Sequence, residues 1–144
     1  MLRKSILVIS DQHAPYHHID TLDFLSAIKE KYKPDCVVNI GDEMDWHSIS
    51  FHDSHPGLYS PSHELVVAKR FFKQLEELFP KQYVMDSNHG SLVFRKATRH
   101  GMPHEIFKSY NHMLGVGKGW SWHEDLVIKA SNGQKIYFCH GKYK

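Results

Sequence analysis

The sequence predicts an α/β fold: a layered sandwich of mostly parallel βαβ units with a C-terminal β-hairpin. Three observations lead there. Short β-branched runs alternate with segments of helical periodicity, polar loops rich in Asp and His follow the runs, and Asn132-Gly133 separates two late strand-like segments.

Residues 5–9 (Ser-Ile-Leu-Val-Ile) are nearly all apolar, the pattern of a strand buried on both faces. Asp20 then offers an N-cap to a helix whose apolar positions Leu22, Leu25, Ile28 and Tyr32 recur at helical spacing, and Lys33-Pro34 ends it. Residues 36–40 (Cys-Val-Val-Asn-Ile) supply the second strand. This βαβ crossover predicts parallel strands, a right-handed connection and function at the strands' carboxyl ends. Residues 41–60 form a polar and aromatic loop of a length that compact domains keep for function. Ser60-Pro61 fits an N-cap and first helical position, Leu65, Ala68, Phe72, Leu75 and Phe79 make one apolar stripe, and Pro80 stops the helix. Residues 83–85 then read as a third strand. Beyond it, 92–99 and 103–114 look helical, separated by Gly101, and Gly115, Gly117 and Gly119 mark a turn-rich passage. Residues 126–130 and 136–139 close the chain as a hairpin across Asn132-Gly133.

A chain of 144 residues is long enough for one cored domain, so a single domain over 1–144 is expected. Apolar and charged fractions of 41% and 24% exclude disordered, collagenous and coiled-coil classes. A net charge of +2 leaves an anionic substrate open without diagnosing nucleic-acid binding. Cys36 and Cys139 lie inside apolar runs, which suits small buried hydrophobes better than a disulfide or a zinc pair. No apolar stretch approaches the roughly 20 residues that span a bilayer, and the first residues run straight into a strand instead of a signal-peptide core. A cytoplasmic address and no membrane partner are therefore expected. The 13 histidines raise the expectation of a metal or phosphate site.

Four strand ends are each followed by oxygen and imidazole side chains: Asp11-Gln12-His13, Gly41-Asp42-Glu43-Met44-Asp45, Asp86-Ser87-Asn88-His89 and His140-Gly141. Carboxyl ends of parallel strands share one edge of a sheet, so these groups should meet there. Asp, Asn and His together suit manganese, iron or zinc, whereas an oxygen-only calcium or magnesium cage would lack the imidazoles. In Asp11-x-His13 the two-residue step puts both side chains on one side of an extended backbone, where one ion can take both.

Taken in this order, the motifs resemble the successive signatures of calcineurin-like metallophosphoesterases, from residue 5 to the last residues. Residues 43–52, and 87–91 followed by Arg95, are similar to phage-encoded members of that family. The resemblance implies a metallophosphoesterase-type α/β sandwich with two divalent metal ions, manganese before iron, zinc or magnesium. It implies that Asp11 and His13 hold the first metal, that Asp42 bridges, and that Asn88 and His140 hold the second. It also implies that His89 is the proton donor to the leaving group and that Asp45 orients it through a hydrogen bond. The expected activity is hydrolysis of phosphate esters, with nucleic acid or nucleotide as the substrate class and the host cytoplasm as the site of action for a phage-encoded chain. The independent chemistry agrees: two cations ~3.5–4 Å apart need a shared carboxylate, activate a bridging water and clamp phosphoryl oxygens for in-line attack.

The chain departs from the family pattern in two ways. Ser87 stands where the family has Gly, and Gly90 where it has Asp or Glu. The family's later Gly-His-x-His segment is not in the sequence, which implies a C-terminally truncated or partly lost portion, each metal lacking one protein ligand and weaker binding. Ligation by another chain is the less favoured possibility. An alternative function follows, a degenerate member that holds metal or a partner with little or no catalysis; a purely structural α/β module would take up no metal. Among other residues, Arg95 reads equally as a phosphate contact and as a surface cation. His47, His52, His55 and His63 read as solvated, and Trp46, Trp120 and Trp122 as packing more than base stacking. Gly115-x-Gly117-x-Gly119 lacks the preceding strand and Lys-Ser/Thr partner of a phosphate loop.

Overall fold

The computed structural model describes residues 5–53 and 55–141. Strands β1 (Ile6–Ile9), β2 (Cys36–Asn39), β3 (Gln82–Met85) and β4 (Trp120–His123) form one parallel sheet in the order β1-β2-β3-β4. Helices α1 (Thr21–Tyr32), α2 (Pro61–Leu78), α3 (Leu92–Arg99) and α4 (Tyr110–Leu114) lie between the strands, and β5 (Leu126–Lys129) pairs antiparallel with β6 (Lys135–Phe138) as a sheet of its own. The mixed α/β architecture with a parallel sheet and a closing hairpin is the expected one.

The period-two alternation of β2 divides the core. Val37 joins Ile9, Val84, Leu25 of α1 and Ala68, Phe72 and Leu75 of α2, whereas Cys36 and Val38 join Met85, Ile128 and Phe138. Helices therefore cover one face of the sheet and the hairpin covers the other. Phe72 and Leu75 are fully buried, and each such side chain stabilises by roughly 1.5–3 kcal/mol. The α2 stripe begins as the sequence predicts, with Ser60 at the N-cap and Pro61 first in the helix, although the Ser60 side chain makes no capping bond.

Several expectations are corrected. β1 is an edge strand, so Val8 stays 46% exposed and is not buried on both faces. Tyr32, in the last turn of α1, is exposed instead of completing the apolar stripe. The helix expected over 103–114 is a 3-10 turn, His104–Ile106, followed by the separate α4. Ser109 restarts the helix by accepting the N–H of His112 at 3.4 Å. The turn-rich passage leads into an unexpected strand, β4. A Cβ on Gly119 would lie 2.0 Å from the Pro80 carbonyl oxygen, so glycine there permits the close approach that sets β4 beside β3. Trp46 and Trp120 are buried in the core and Trp122 packs against it. No disulfide joins the two cysteines: Cys36 is buried and Cys139 half-buried. Among the described residues no helix is long and apolar enough to cross a membrane.

Candidate metal centre

The strand register aligns the carboxyl ends of the first three strands. Ile9 pairs with Asn39, and Asn39 with Val84. Backbone pairing continues beyond the strands: Asp11 N–H donates to the Gly41 carbonyl (3.1 Å), His13 to Asp42 (2.9 Å) and Ala14 to Glu43 (2.9 Å). The chain then turns sharply, with φ of 53° at Asp11, 47° at His13 and 53° at Asp42. Left-handed backbone at non-glycine residues costs of order 1–3 kcal/mol each and concentrates at functional sites, so Asp11 and His13 meet through turns and not through the extended two-residue step the sequence suggested.

These turns gather seven of the eight predicted residues. The Asp42 carboxylate is at the centre and faces two ways. Its Oδ2 is 3.8 Å from His13 Nε2, which is 3.8 Å from Asp11 Oδ1. Its Oδ1 is 3.3 Å from His140 Nε2, which is 2.7 Å from Asn88 Oδ1. Two ligand atoms bound at about 2.1 Å to one ion lie about 3.0–3.4 Å apart at octahedral to tetrahedral angles, so both groups fit a divalent ion after small adjustments. Asp11, His13 and Asp42 also offer ligand atoms mutually within 4.8 Å.

The imidazoles are set to bind through Nε2. His13 Nδ1 is 2.7 Å from Asp45 Oδ1, and His140 Nδ1 is 2.7 Å from the Ile40 carbonyl oxygen. With a metal on Nε2, each Nδ1 would carry the proton and donate it to that acceptor. His89 Nδ1 lies 2.5 Å from the Asp45 carbonyl oxygen, and the backbone N–H of His89 donates to Asp42 Oδ1 at 3.1 Å.

Three placements differ from expectation. The Asp45 carboxylate bonds His13, and its Oδ1 is 3.7 Å from His89 Nδ1, so Asp45 holds His89 by its backbone carbonyl instead. His140 arrives not from a parallel strand but from the hairpin, just after β6. The fourth parallel strand ends at His123, whose Nε2 is 2.8 Å from Ser121 Oγ. Arg95, the eighth residue, is exposed on α3 and donates from Nη2 to the Asn88 carbonyl at 3.0 Å. Of the loop histidines, His47 is half-buried and accepts the His55 N–H at 3.0 Å, while His52, His55 and His63 are exposed.

Other functional supports escaped sequence reasoning. Ser87 Oγ accepts the N–H groups of Asp42 (2.9 Å) and Gly90 (3.0 Å), tying two loops together. Gly41, at φ +107°, lies so close that a Cβ would be 2.6 Å from Ser87 Cβ and 2.7 Å from His140 Nδ1. Fully buried Glu64 accepts the His47 N–H (2.9 Å) and the Ser48 hydroxyl (2.5 Å), organising the long loop. Its four-residue spacing from Ala68 puts it on the apolar stripe, a signal legible in the sequence. Glu43 is 1% exposed; burial, reinforced by nearby Asp42 and Asp86, pushes its carboxyl up to about 7, although Trp122 Nε1 donates to Oε1 at 3.2 Å. Its Oε2 is buried with no hydrogen-bond partner among the described residues.

Carboxylate, amide and imidazole side chains thus gather around the Asp42 carboxylate from the sheet's carboxyl edge and from the hairpin end, a donor set that could hold a divalent metal ion. The family model for calcineurin-like phosphoesterases matches residues 4–144, and the chain belongs to that family. The general chemistry of that family is metal-dependent phosphoester hydrolysis. Comparison with curated proteins finds no match.

Proposed function

We propose that this protein hydrolyses phosphate esters of nucleic acid or nucleotides with two divalent ions, manganese first among them. The observation that carries the reading is the Asp42 carboxylate, whose two oxygens face two separate ligand groups. Asp11, His13 and Asp42 would hold one ion, and Asp42, Asn88 and His140 the other. Bound there, the ions supply Lewis acidity and a water of lowered pKa. His89, fixed at Nδ1 by the Asp45 carbonyl, would give the Nε2 proton of its imidazolium form to the leaving oxygen. As water oxygen bonds to phosphorus the opposite P–O ester bond breaks, the His89 proton neutralises the departing alkoxide, and the proton lost by the water passes to solvent and from there back to His89. Asp45 acts through His13, fixing its tautomer. The likeness of residues 43–52 and 87–91 to phage-encoded members supports nucleic acid or nucleotide as substrate and a cytoplasmic setting.

The test is manganese-dependent release from a chromogenic phosphodiester by the wild type, Asp42→Asn and His89→Ala. Asp42→Asn should fall to background and His89→Ala by about 10²–10⁴-fold. Equal background rates for all three would remove the enzyme reading and leave metal binding without turnover, which the three side-chain ligands of each group favour.

A further inference from the structure

We infer that α3 and the loop before it form a track for single-stranded nucleic acid leading into the metal centre. The inference rests on the phosphoester reading above and names its substrate class.

Charge is nearly balanced over the chain, with 18 Lys and Arg against 16 Asp and Glu. On α3 it is not: Arg95, Lys96 and Arg99 occur within eight residues that include no acid. All three cations converge on one ring. The Phe51 centroid is 5.4 Å from the Arg95 guanidinium carbon, 4.7 Å from Lys96 Nζ and 4.1 Å from the Arg99 guanidinium carbon. The helix dipole favours cations in a last turn, which accounts for Lys96 and Arg99 being there. It does not account for three like charges turned onto a single aromatic. Cation–π attraction of about 0.5–1 kcal/mol each at an exposed ring offsets only part of their repulsion. Among the described residues no carboxylate forms an ion pair with any of them, since every such pair there involves a histidine.

Their free donors point to an anion. Lys96 Nζ donates to the Ser50 carbonyl at 3.0 Å and Arg95 Nη2 to the Asn88 carbonyl at 3.0 Å, while Arg99 donates to no protein acceptor among the described residues. The contact with Asn88 fixes the direction, because the same residue's Oδ1 meets His140 in the metal centre. From there Arg95 to Arg99 covers about 6 Å along the helix axis, enough for more than one phosphate. A small monoester would use one cation; a run of phosphates uses all three. Phe51 is 42% exposed, and an accessible ring amid backbone-reading cations is the combination that holds unpaired bases without reading their sequence. A duplex hides its base faces, which assigns the track to a single strand.

The test is fluorescence anisotropy of a labelled oligothymidylate with the full chain in EDTA, over a series of salt concentrations. Lys96→Gln and Arg99→Gln should each flatten the slope of log K against log salt by about 0.7, and Phe51→Leu should weaken binding by about 5- to 150-fold. The pair Lys129→Gln and Lys135→Gln on the hairpin removes equal charge and should keep the slope. A slope that falls equally with either pair, absent binding, or duplex bound as tightly as the single strand would each overturn the track. Turnover of the chromogenic diester without oligonucleotide binding rejects the track and keeps the phosphoesterase reading. Track-dependent binding without any turnover does the reverse.

Discussion

His13 and His140 approach the same Asp42 carboxylate from opposite sides, each presenting Nε2, yet their anchors differ in kind. His13 is oriented by a charged side chain, Asp45, and shares its group with Asp11, whose side chain is 61% exposed. His140 is oriented by a backbone carbonyl, that of Ile40, and is 17% exposed against 32% for His13. A carboxylate anchor is lost with one substitution. A carbonyl anchor is immune to substitution but depends on the backbone staying where it is. His13 is thus held by a side chain, and His140 by the close fit of the hairpin end against the loop after β2.

The comparison breaks most directly at Gly41. A methyl group there would collide with Ser87 and His140 at a φ that L-residues avoid, so Gly41→Ala should destabilise by about 2–4 kcal/mol and disturb the His140 half first. Thermal unfolding together with metal titration would check this, and a wild-type melting temperature would refute it. Asp45→Asn tests the other anchor. It should weaken one of two metal-binding steps by about 10–100-fold and leave the second step nearly unchanged. Equal loss at both steps would show that the halves are not separately anchored.

A smaller effect concerns Glu43, behind the centre. Its folded-state carboxyl titrates at about 7, above its ordinary value of 4.5, chiefly because it is buried. Between about pH 4.5 and 7 the folded chain therefore keeps a proton that the unfolded chain has released. Metal-free stability should fall as pH rises through that window and remain lowered above it. Glu43→Gln, which cannot ionise, should flatten this dependence and melt a few degrees above the wild type at pH 8. A variant with the wild-type pH profile would show that Glu43 is not the group responsible.

The ligand types and their strand-end positions were legible in the sequence, because Asp, Asn and His placed directly after apolar runs must converge on one edge once those runs form a parallel sheet. Which acceptor each imidazole takes was not legible. Asp45 lies between His13 and His89, and its carboxylate meets one while its carbonyl meets the other, in a loop with left-handed backbone at Asp42 and Trp46. β4 escaped because Trp120-Ser121-Trp122-His123 follows three glycines and is held by a close approach to Pro80 that no local pattern announces. The arrival of His140 from a separate sheet depends on Ile128 and Phe138 packing against Cys36, Val38 and Met85, a long-range contact that motif order cannot show.

Calorimetric titration of the apo chain with manganese, beside His13→Ala and His140→Ala, addresses the shared carboxylate most directly. Two ions should bind the wild type and one ion each variant, with Asp42→Asn impairing both steps. A single ion in the wild type, lost equally in both histidine variants, would contradict the account.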